Sequence, residues 1–206
     1  MTFPQTKFAS ISRFHHAYIQ EIHQALASLD DQALQAAADL LEGVIRQRKW
    51  IFTCGNGGSA AIANHCLCDF GKGVRTHTPL KPRVSALSAH IESITAIAND
   101  MDYADIFAHQ LASLASPGDL LITISASGNS ENVVRAAQWA RENQLHTLAL
   151  TGFNGGRLRE MAQYPLHIKA DNYGVIEDSH QAILHMLAQY IRQKHMDEDR
   201  VAAEKF

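Results

Sequence analysis

The sequence predicts an α/β fold: a doubly wound, five-stranded parallel sheet in the order 2-1-3-4-5, preceded by two N-terminal helices. Three observations carry that expectation. Short β-rich runs alternate with segments of helical periodicity. The first run, WIFT at Trp50–Thr53, is short and apolar, as a strand covered on both faces is. Two turns rich in Gly and Ser follow the first and third runs, and each opens a helix.

In chain order, apolar residues recur at helical spacing from Phe8 to about Leu29, through Ile11, Phe14, Ile19, Ile22 and Leu26. A second helical pattern runs from Asp31 to Arg48 with Leu34, Leu41, Val44 and Ile45 inward, and Asp30 or Asp31 is its expected N-cap. These two helices stand outside the α/β repeat, so they either cover the sheet or build a subunit interface. Strands are then expected at Trp50–Thr53, Arg83–Leu87, Leu120–Ser125, Thr147–Thr151 and Leu166–Ala170. Helices are expected at Ser59–Gly71, Ile91–Ala98, Tyr103–Leu114, Ser130–Asn143, Gly155–Ala162 and Val175–Lys194. Pro117-Gly118-Asp119 makes a turn immediately before the third strand. The organisation is a single domain over 1–206: a helical pair at 1–48, an α/β core at 49–195, and a charged tail at 196–206 expected to lie exposed.

Composition narrows the function. A formal charge of −3 gives no reason to expect nucleic acid or an acidic membrane. No apolar run is long enough to span a bilayer, and MTFPQTKFASISRFHH lacks an apolar signal core, so a cytoplasmic protein is expected. Cys54, Cys66 and Cys68 are an odd set, two of them close together on one expected helix, and are taken as reduced packing residues.

The two turns are CGNGGS at Cys54–Ser59 and SASGNS at Ser125–Ser130. Free backbone N–H groups at a Gly-rich turn and a helix start suit a phosphate or carboxylate, and serine hydroxyls add to the cradle. One such turn is more often a tight connection than a site. Two of them at strands one and three fall where strand order reverses, so they are expected to share one ligand. Neither is a nucleoside-triphosphatase P-loop. Gly55 to Ala60 fits a loose dinucleotide fingerprint, but the acidic residue about twenty positions on is missing from VRTHTPLK.

With GNGGSAAIANH, IANDMDYADIF, SASGNS and ALTGFNGG, nearly the whole chain resembles the sugar isomerase (SIS) domain family, and within it the phosphoheptose isomerases. The resemblance implies an aldose–ketose isomerase acting on a phosphorylated sugar, a homo-oligomer of tetrameric type, and Zn²⁺. It also implies that Ser59, Ser125, Ser127 and Ser130, with Gly57, Gly58 and Ala126 of the same loops, hold the phosphate. Asn56 and Asp100 would face the sugar hydroxyls, and His65 and His185 would bind metal or transfer protons. The chain departs from the family pattern at three places: Asp69 stands for a glutamate, Glu177 for a glutamine, and Gly174 for an aspartate.

The residues add their own argument. His65 and Asp69 are spaced i, i+4, and Glu177 and His185 lie eight apart on one helix, so each pair shares a face. Together they offer N and O ligands for a metal at His65, Asp69, Glu177 and His185, or a proton-transfer set. Cys66 and Cys68 cannot both share the face of His65, and His180 is expected against a neighbouring subunit. The expected catalytic set is Asp69 or Glu177 as base and His185 as acid, working through an enediol. Two other readings stay open: a different phosphosugar enzyme, and a non-catalytic SIS module such as a regulator that binds a replication initiator.

Overall fold

The computed structural model describes residues 2–205; Met1 and Phe206, the two ends of the expected domain, lie outside the described residues. Five strands, β1 (Trp50–Cys54), β2 (Arg83–Ala86), β3 (Leu120–Ser125), β4 (His146–Thr151) and β5 (Tyr164–His167), form one sheet in the flavodoxin-like order β2-β1-β3-β4-β5. Every neighbouring pair is parallel. The doubly wound parallel fold expected from the alternation is the one observed.

The helices are α1 (Ile11–Ala27), α2 (Asp31–Arg46), α3 (Gly58–Cys66), α4 (Ile91–Asp100), α5 (Ala108–Leu114), α6 (Glu131–Glu142), α7 (Gly156–Met161), α8 (Tyr173–Lys194) and the short α9 (Glu198–Val201). Successive strand residues point to opposite faces, and that alternation builds two cores. Ile51, Leu120, Ile122 and Leu148 pack beneath α1, α2, α3 and α8. Phe52, Leu121 and Ala149 pack beneath α4, α5, α6 and α7. Of the two N-terminal helices, α2 covers the sheet and α1 lies along α8. Asp30 caps α2, its carboxylate accepting from Ala33 N–H at 2.8 Å.

One buried carboxylate fixes the alignment of β1 on β3. Asp119, 2 % exposed, accepts from Trp50 N–H and Ser116 N–H, both at 2.8 Å. The Pro117-Gly118 turn is thereby tied to the start of β1, and Lys49 Nζ donates to the Pro117 carbonyl at 2.7 Å.

Three local expectations are corrected. The last strand is Tyr164–His167, upstream of Leu166–Ala170. Pro165 argues against a strand there, yet β5 is an edge, where a missing N–H is tolerated. The helix expected at Tyr103–Leu114 divides into a 3₁₀ turn, Tyr103–Asp105, and α5, with Asp102 capping the turn through Ala104 N–H at 2.9 Å. The helix expected at Ser59–Gly71 passes from α3 into a π-helix over Leu67–Val74. The charged tail is largely exposed, as expected, and is also tied down: Glu204 pairs with His77 at 3.1 Å and Arg192 at 3.7 Å, and Arg192 donates to the Lys205 carbonyl.

Candidate active site

The two Gly/Ser turns lie side by side because β1 and β3 are neighbours and their following helices, α3 and α6, leave on opposite faces. Gly55 must lack a side chain: a Cβ there would lie 2.7 Å from the Ser59 carbonyl and 2.8 Å from the Ile124 carbonyl, both rigid backbone. Gly128 has φ +65°, and its Cβ would strike the Gly155 carbonyl group. Asn56 in the first turn and Asn132 in the first turn of α6 exchange amide hydrogen bonds at 2.9 and 2.8 Å. Tyr103 O–H also donates to Asn56 Oδ1 at 3.0 Å. The loops are therefore joined as one rim.

The serines line that rim. Ser125 Oγ accepts from Gly128 N–H at 3.2 Å and lies 3.5 Å from Ser130 Oγ. Ser127 Oγ accepts from Asn129 N–H at 3.3 Å. Ser59 is buried in the first turn of α3, behind exposed Gly57 and Gly58, and Ala126 is buried with its carbonyl taken by Gly152 N–H. Asp100 ends α4, where its carboxylate accepts from Asn99 Nδ2 at 2.7 Å.

At the other end of α3 three side chains meet. His65 Nε2 lies 3.1 Å from Asp69 Oδ1, His185 Nε2 lies 3.4 Å from Asp69 Oδ2, and the two imidazole Nε2 atoms are 3.1 Å apart. One ligand atom from each falls within 4.8 Å of the others. The change from α- to π-helix falls between His65 and Asp69, a departure often found at functional positions. Two imidazole nitrogens and a carboxylate are a donor set that fits a divalent transition-metal ion.

Glu177 stands apart from this cluster. A Cβ on Gly58 would lie 2.5 Å from Cδ and Oε1 of Glu177, so its carboxylate rests on the first turn of α3, at the anion loop. Burial, and then the charge of Asp178, holds its pKa above the ordinary carboxylate value. Because Glu177 meets Gly58 while His185 meets His65 and Asp69, α3 and α8 run side by side in one direction. From Ser59 to His65 the rise along α3 is about 9 Å.

Three residues near the site escaped the sequence reading as functional groups. Gln181 Nε2 lies 2.9 Å from His185 Nε2 and donates to Asp69 Oδ2 at 3.5 Å. Its position midway between Glu177 and His185, at i+4 from one and i−4 from the other, was the available signal. Asn132 and Tyr103 join Asn56 only through tertiary packing, which no local pattern announces. His180 faces no neighbouring subunit: it is fully buried and neither ring nitrogen has a hydrogen-bond partner. Burial pushes its pKa down to about 4, and the Thr151 carbonyl, already taken by Ile168 N–H, opposes that shift without bonding the ring. Of the cysteines, Cys54 and Cys66 are buried, whereas Cys68 is exposed rather than packed.

An open parallel sheet with two joined Gly/Ser loops at its switch point, and an imidazole–carboxylate cluster one short helix away, defines a doubly wound α/β protein with its polar groups gathered at the carboxyl ends of the strands. The comparisons make the assignment specific. The chain belongs to the SIS domain family, whose model matches residues 15–152. It is 35 % identical over 178 residues to a probable phosphoheptose isomerase of Thermoplasma acidophilum, covering 86 % of this chain and 97 % of that one. It is 39 % identical over 161 residues to the phosphoheptose isomerase of Mycobacterium tuberculosis, covering 78 % and 81 %. The solved phosphoheptose isomerase of Francisella tularensis superposes with a TM-score of 0.80 at 30 % identity, covering 92 % of this chain and all of that one. That of Neisseria gonorrhoeae gives 0.80 at 29 %, covering 88 % and 96 %. No helix among the described residues is long and apolar enough to cross a membrane.

Proposed function

We propose that this chain, a phosphosugar isomerase by its family and relatives, interconverts sedoheptulose 7-phosphate and D-glycero-D-manno-heptose 7-phosphate through an enediol. The observation that carries the reading is the separation of the two ends of the site along α3. An anion loop lies at one end, and a proton-transfer cluster lies about 9 Å further along the helix. A sugar chain with phosphate at one terminus and its carbonyl at the other spans a separation of that order. The names of the relatives above favour seven carbons.

In this reading Ser59, Ser125, Ser127 and Ser130, with the backbone of Gly57, Gly58 and Ala126, grip the phosphate. Asn56 and Asp100 face the hydroxyls. A carboxylate, Asp69 or Glu177, takes the proton from the carbon beside the carbonyl and returns it to the neighbouring carbon. His185 serves the two oxygens. Of the two carboxylates, Asp69 lies among the imidazoles, at the carbonyl end, whereas Glu177, its pKa raised by burial, lies on the loop at the phosphate end of the sugar. His65, Asp69 and His185 would hold Zn²⁺ or a similar divalent ion. Such an ion supplies Lewis acidity at the sugar carbonyl.

Exposed Ile11, Ile19, Ile91 and Met101 on α1, α4 and the residue after it offer apolar surface for a homo-oligomer, proposed to be a tetramer and measurable by light scattering. The activity is tested by incubating the protein with sedoheptulose 7-phosphate in D₂O. Formation of the aldose with deuterium at C2 is expected, and activity is expected to fall with a chelator and return with Zn²⁺. Aldose that forms without solvent deuterium would argue for a hydride shift and against the enediol. A second reading, another phosphosugar as substrate, is favoured by one observation. Gly174, where the family pattern has an aspartate, is overlain by Tyr18, whose hydroxyl would lie 2.8 Å from a Cβ there. Fructose 6-phosphate and shorter ketose phosphates assayed in parallel separate the two readings.

A further inference from the structure

We propose that Arg157 is a positioning residue for the phosphate grip: its guanidinium turns the peptide between Asn129 and Ser130 so that the Ser130 N–H faces the ligand. The inference rests on the phosphate reading above. It extends that reading to a segment left unused by it, the turn from Gly152 to Arg157 after β4, which holds the end of ALTGFNGG.

A phosphate is held by N–H groups and repelled by carbonyl oxygens, so a loop that grips one must turn its carbonyls away. In the loop after β3 every carbonyl from Ala126 to Asn129 is taken. Gly152 N–H donates to that of Ala126 at 2.9 Å, and Leu158 N–H to that of Gly128 at 3.1 Å. Asn129 Nδ2 donates to the Ser127 carbonyl at 3.1 Å, and Arg157 Nη2 to the Asn129 carbonyl at 3.0 Å. Three of these four donors come from the chain that follows β4.

The peptides of this loop are trans, so the carbonyl of one residue and the N–H of the next point in opposite directions. Strand β3 lies between β1 and β4. Carbonyls drawn to the β4 side therefore aim the N–H groups of Ser127, Asn129 and Ser130 toward the β1 side, where the Gly55–Ser59 turn lies. The Asn129 N–H is taken by Ser127 Oγ at 3.3 Å. Those of Ser127 and Ser130 have no acceptor among the described residues. The peptide behind Ser127 is held by backbone, through Gly152. The peptide behind Ser130 is held by a side chain, that of Arg157. The guanidinium is itself fixed, since Nη2 also donates to Glu131 Oε2 at 2.7 Å, and Glu131 accepts from Arg135 Nε at 3.3 Å. Paired with Glu131, it contributes direction rather than charge.

Full-length protein is assayed with sedoheptulose 7-phosphate, with inorganic phosphate as competitive inhibitor, and by the amide spectrum of ¹⁵N-labelled chain during phosphate titration. Arg157→Met, at an exposed position, is expected to raise KM and the phosphate inhibition constant about 10-fold, with little change in kcat. The Ser130 amide resonance should lose its response to phosphate while that of Ser127 keeps it. Arg157→Lys, which keeps a donor, should bind more tightly than Arg157→Met. Arg157→Met combined with Glu131→Gln should bind as weakly as Arg157→Met alone, because the lost bond and not an unpaired carboxylate is the cause. Recovery of affinity in that double variant overturns the proposal. So does a wild-type KM in Arg157→Met, or a fall in kcat at unchanged KM. In each of these cases phosphate still binds the wild type, and the phosphate reading stands. Wild type that phosphate neither inhibits nor perturbs at Ser127 and Ser130 overturns both.

Discussion

Gly58→Ala separates stability from chemistry at this site. The backbone at Gly58 is not in the left-handed region, and the residue lies in the first turn of α3, where Ala is favoured over Gly by up to about 1 kcal/mol. The new Cβ would sit 2.5 Å from Cδ and Oε1 of Glu177, against 3.4 Å for ordinary contact. The carboxylate must therefore retreat by roughly 1 Å, which the end of a flexible side chain can do with little loss of stability. A misplacement of that size costs about 100-fold in turnover when the displaced group acts on substrate. The expected result is a urea midpoint within about 1 kcal/mol of wild type and a kcat about 100-fold lower. Glu177→Gln should lower kcat at least as far, and combining the two should add little, because both remove the same carboxylate from the same place. Wild-type turnover in Gly58→Ala would refute a role for Glu177 at the loop. A loss of stability above about 3 kcal/mol would instead refute the claim that its carboxylate gives way.

Asp119→Ala leaves Trp50 N–H and Ser116 N–H without their charged acceptor. Denaturant unfolding should show a loss of about 3 kcal/mol, and a loss below about 1 kcal/mol would mean the β1–β3 tie is unimportant. Glu42 accepts from Lys194 Nζ at 2.6 Å and from His195 Nε2 at 3.0 Å, and the Lys194 bond foremost holds its pKa below the ordinary value. A carboxylate with a depressed folded pKa stabilises above its unfolded pKa and loses that contribution as pH falls through the folded one. Glu42→Gln should thus be less stable than wild type at pH 7, with the gap closing below about pH 4; a gap that persists in acid would point to packing instead. In the native chain without metal, iodoacetamide should label Cys68 alone, since Cys54 and Cys66 are buried, and burial pushes the Cys66 thiol up to about 12. Mass spectrometry showing rapid label on either buried cysteine would contradict that packing. Gly174→Ala should destabilise by crowding the Tyr18 hydroxyl, and Tyr18→Phe should relieve part of the loss. A double-mutant cycle with coupling under about 0.5 kcal/mol would show that the two positions are independent.

What the sequence revealed and what it withheld divide along physical lines. Alternation of strand and helix patterns suffices for the sheet order and for placing the two Gly/Ser turns together, because topology follows from local periodicity and the short reach of connections. The caps were legible too: Asp30 sits before α2 with the predicted backbone bond. β5 was misplaced because Pro165 is read locally as a breaker, while its edge position is known only once the sheet is assembled. The π-turn over Leu67–Val74 was hidden because no residue type there marks an i→i+5 bond in place of i→i+4. The tail beyond Met196 looks like solvated charge, but Glu204 finds His77 and Arg192 from distant elements.

The site shows the same division at the level of single side chains. His65, Asp69 and His185 were found because helical spacing predicts which residues share a face. Helical spacing places Glu177 on that face equally well, and it cannot tell which turn of α8 faces which turn of α3. That is decided by the absence of a side chain at Gly58, which lets the Glu177 carboxylate settle on the Gly/Ser loop two turns short of the imidazoles. Gly174 is likewise no vacancy, since the Tyr18 hydroxyl occupies the space above it and donates to Asp178 at 2.8 Å. Burial, and then that bond, pushes the Tyr18 pKa up to about 12, so the hydroxyl stays a neutral donor there. At Gly174 the departure from the family pattern is matched by a neighbour, the Tyr18 side chain. Reverting Gly174 alone is therefore expected to disturb the site rather than restore a relative's version of it.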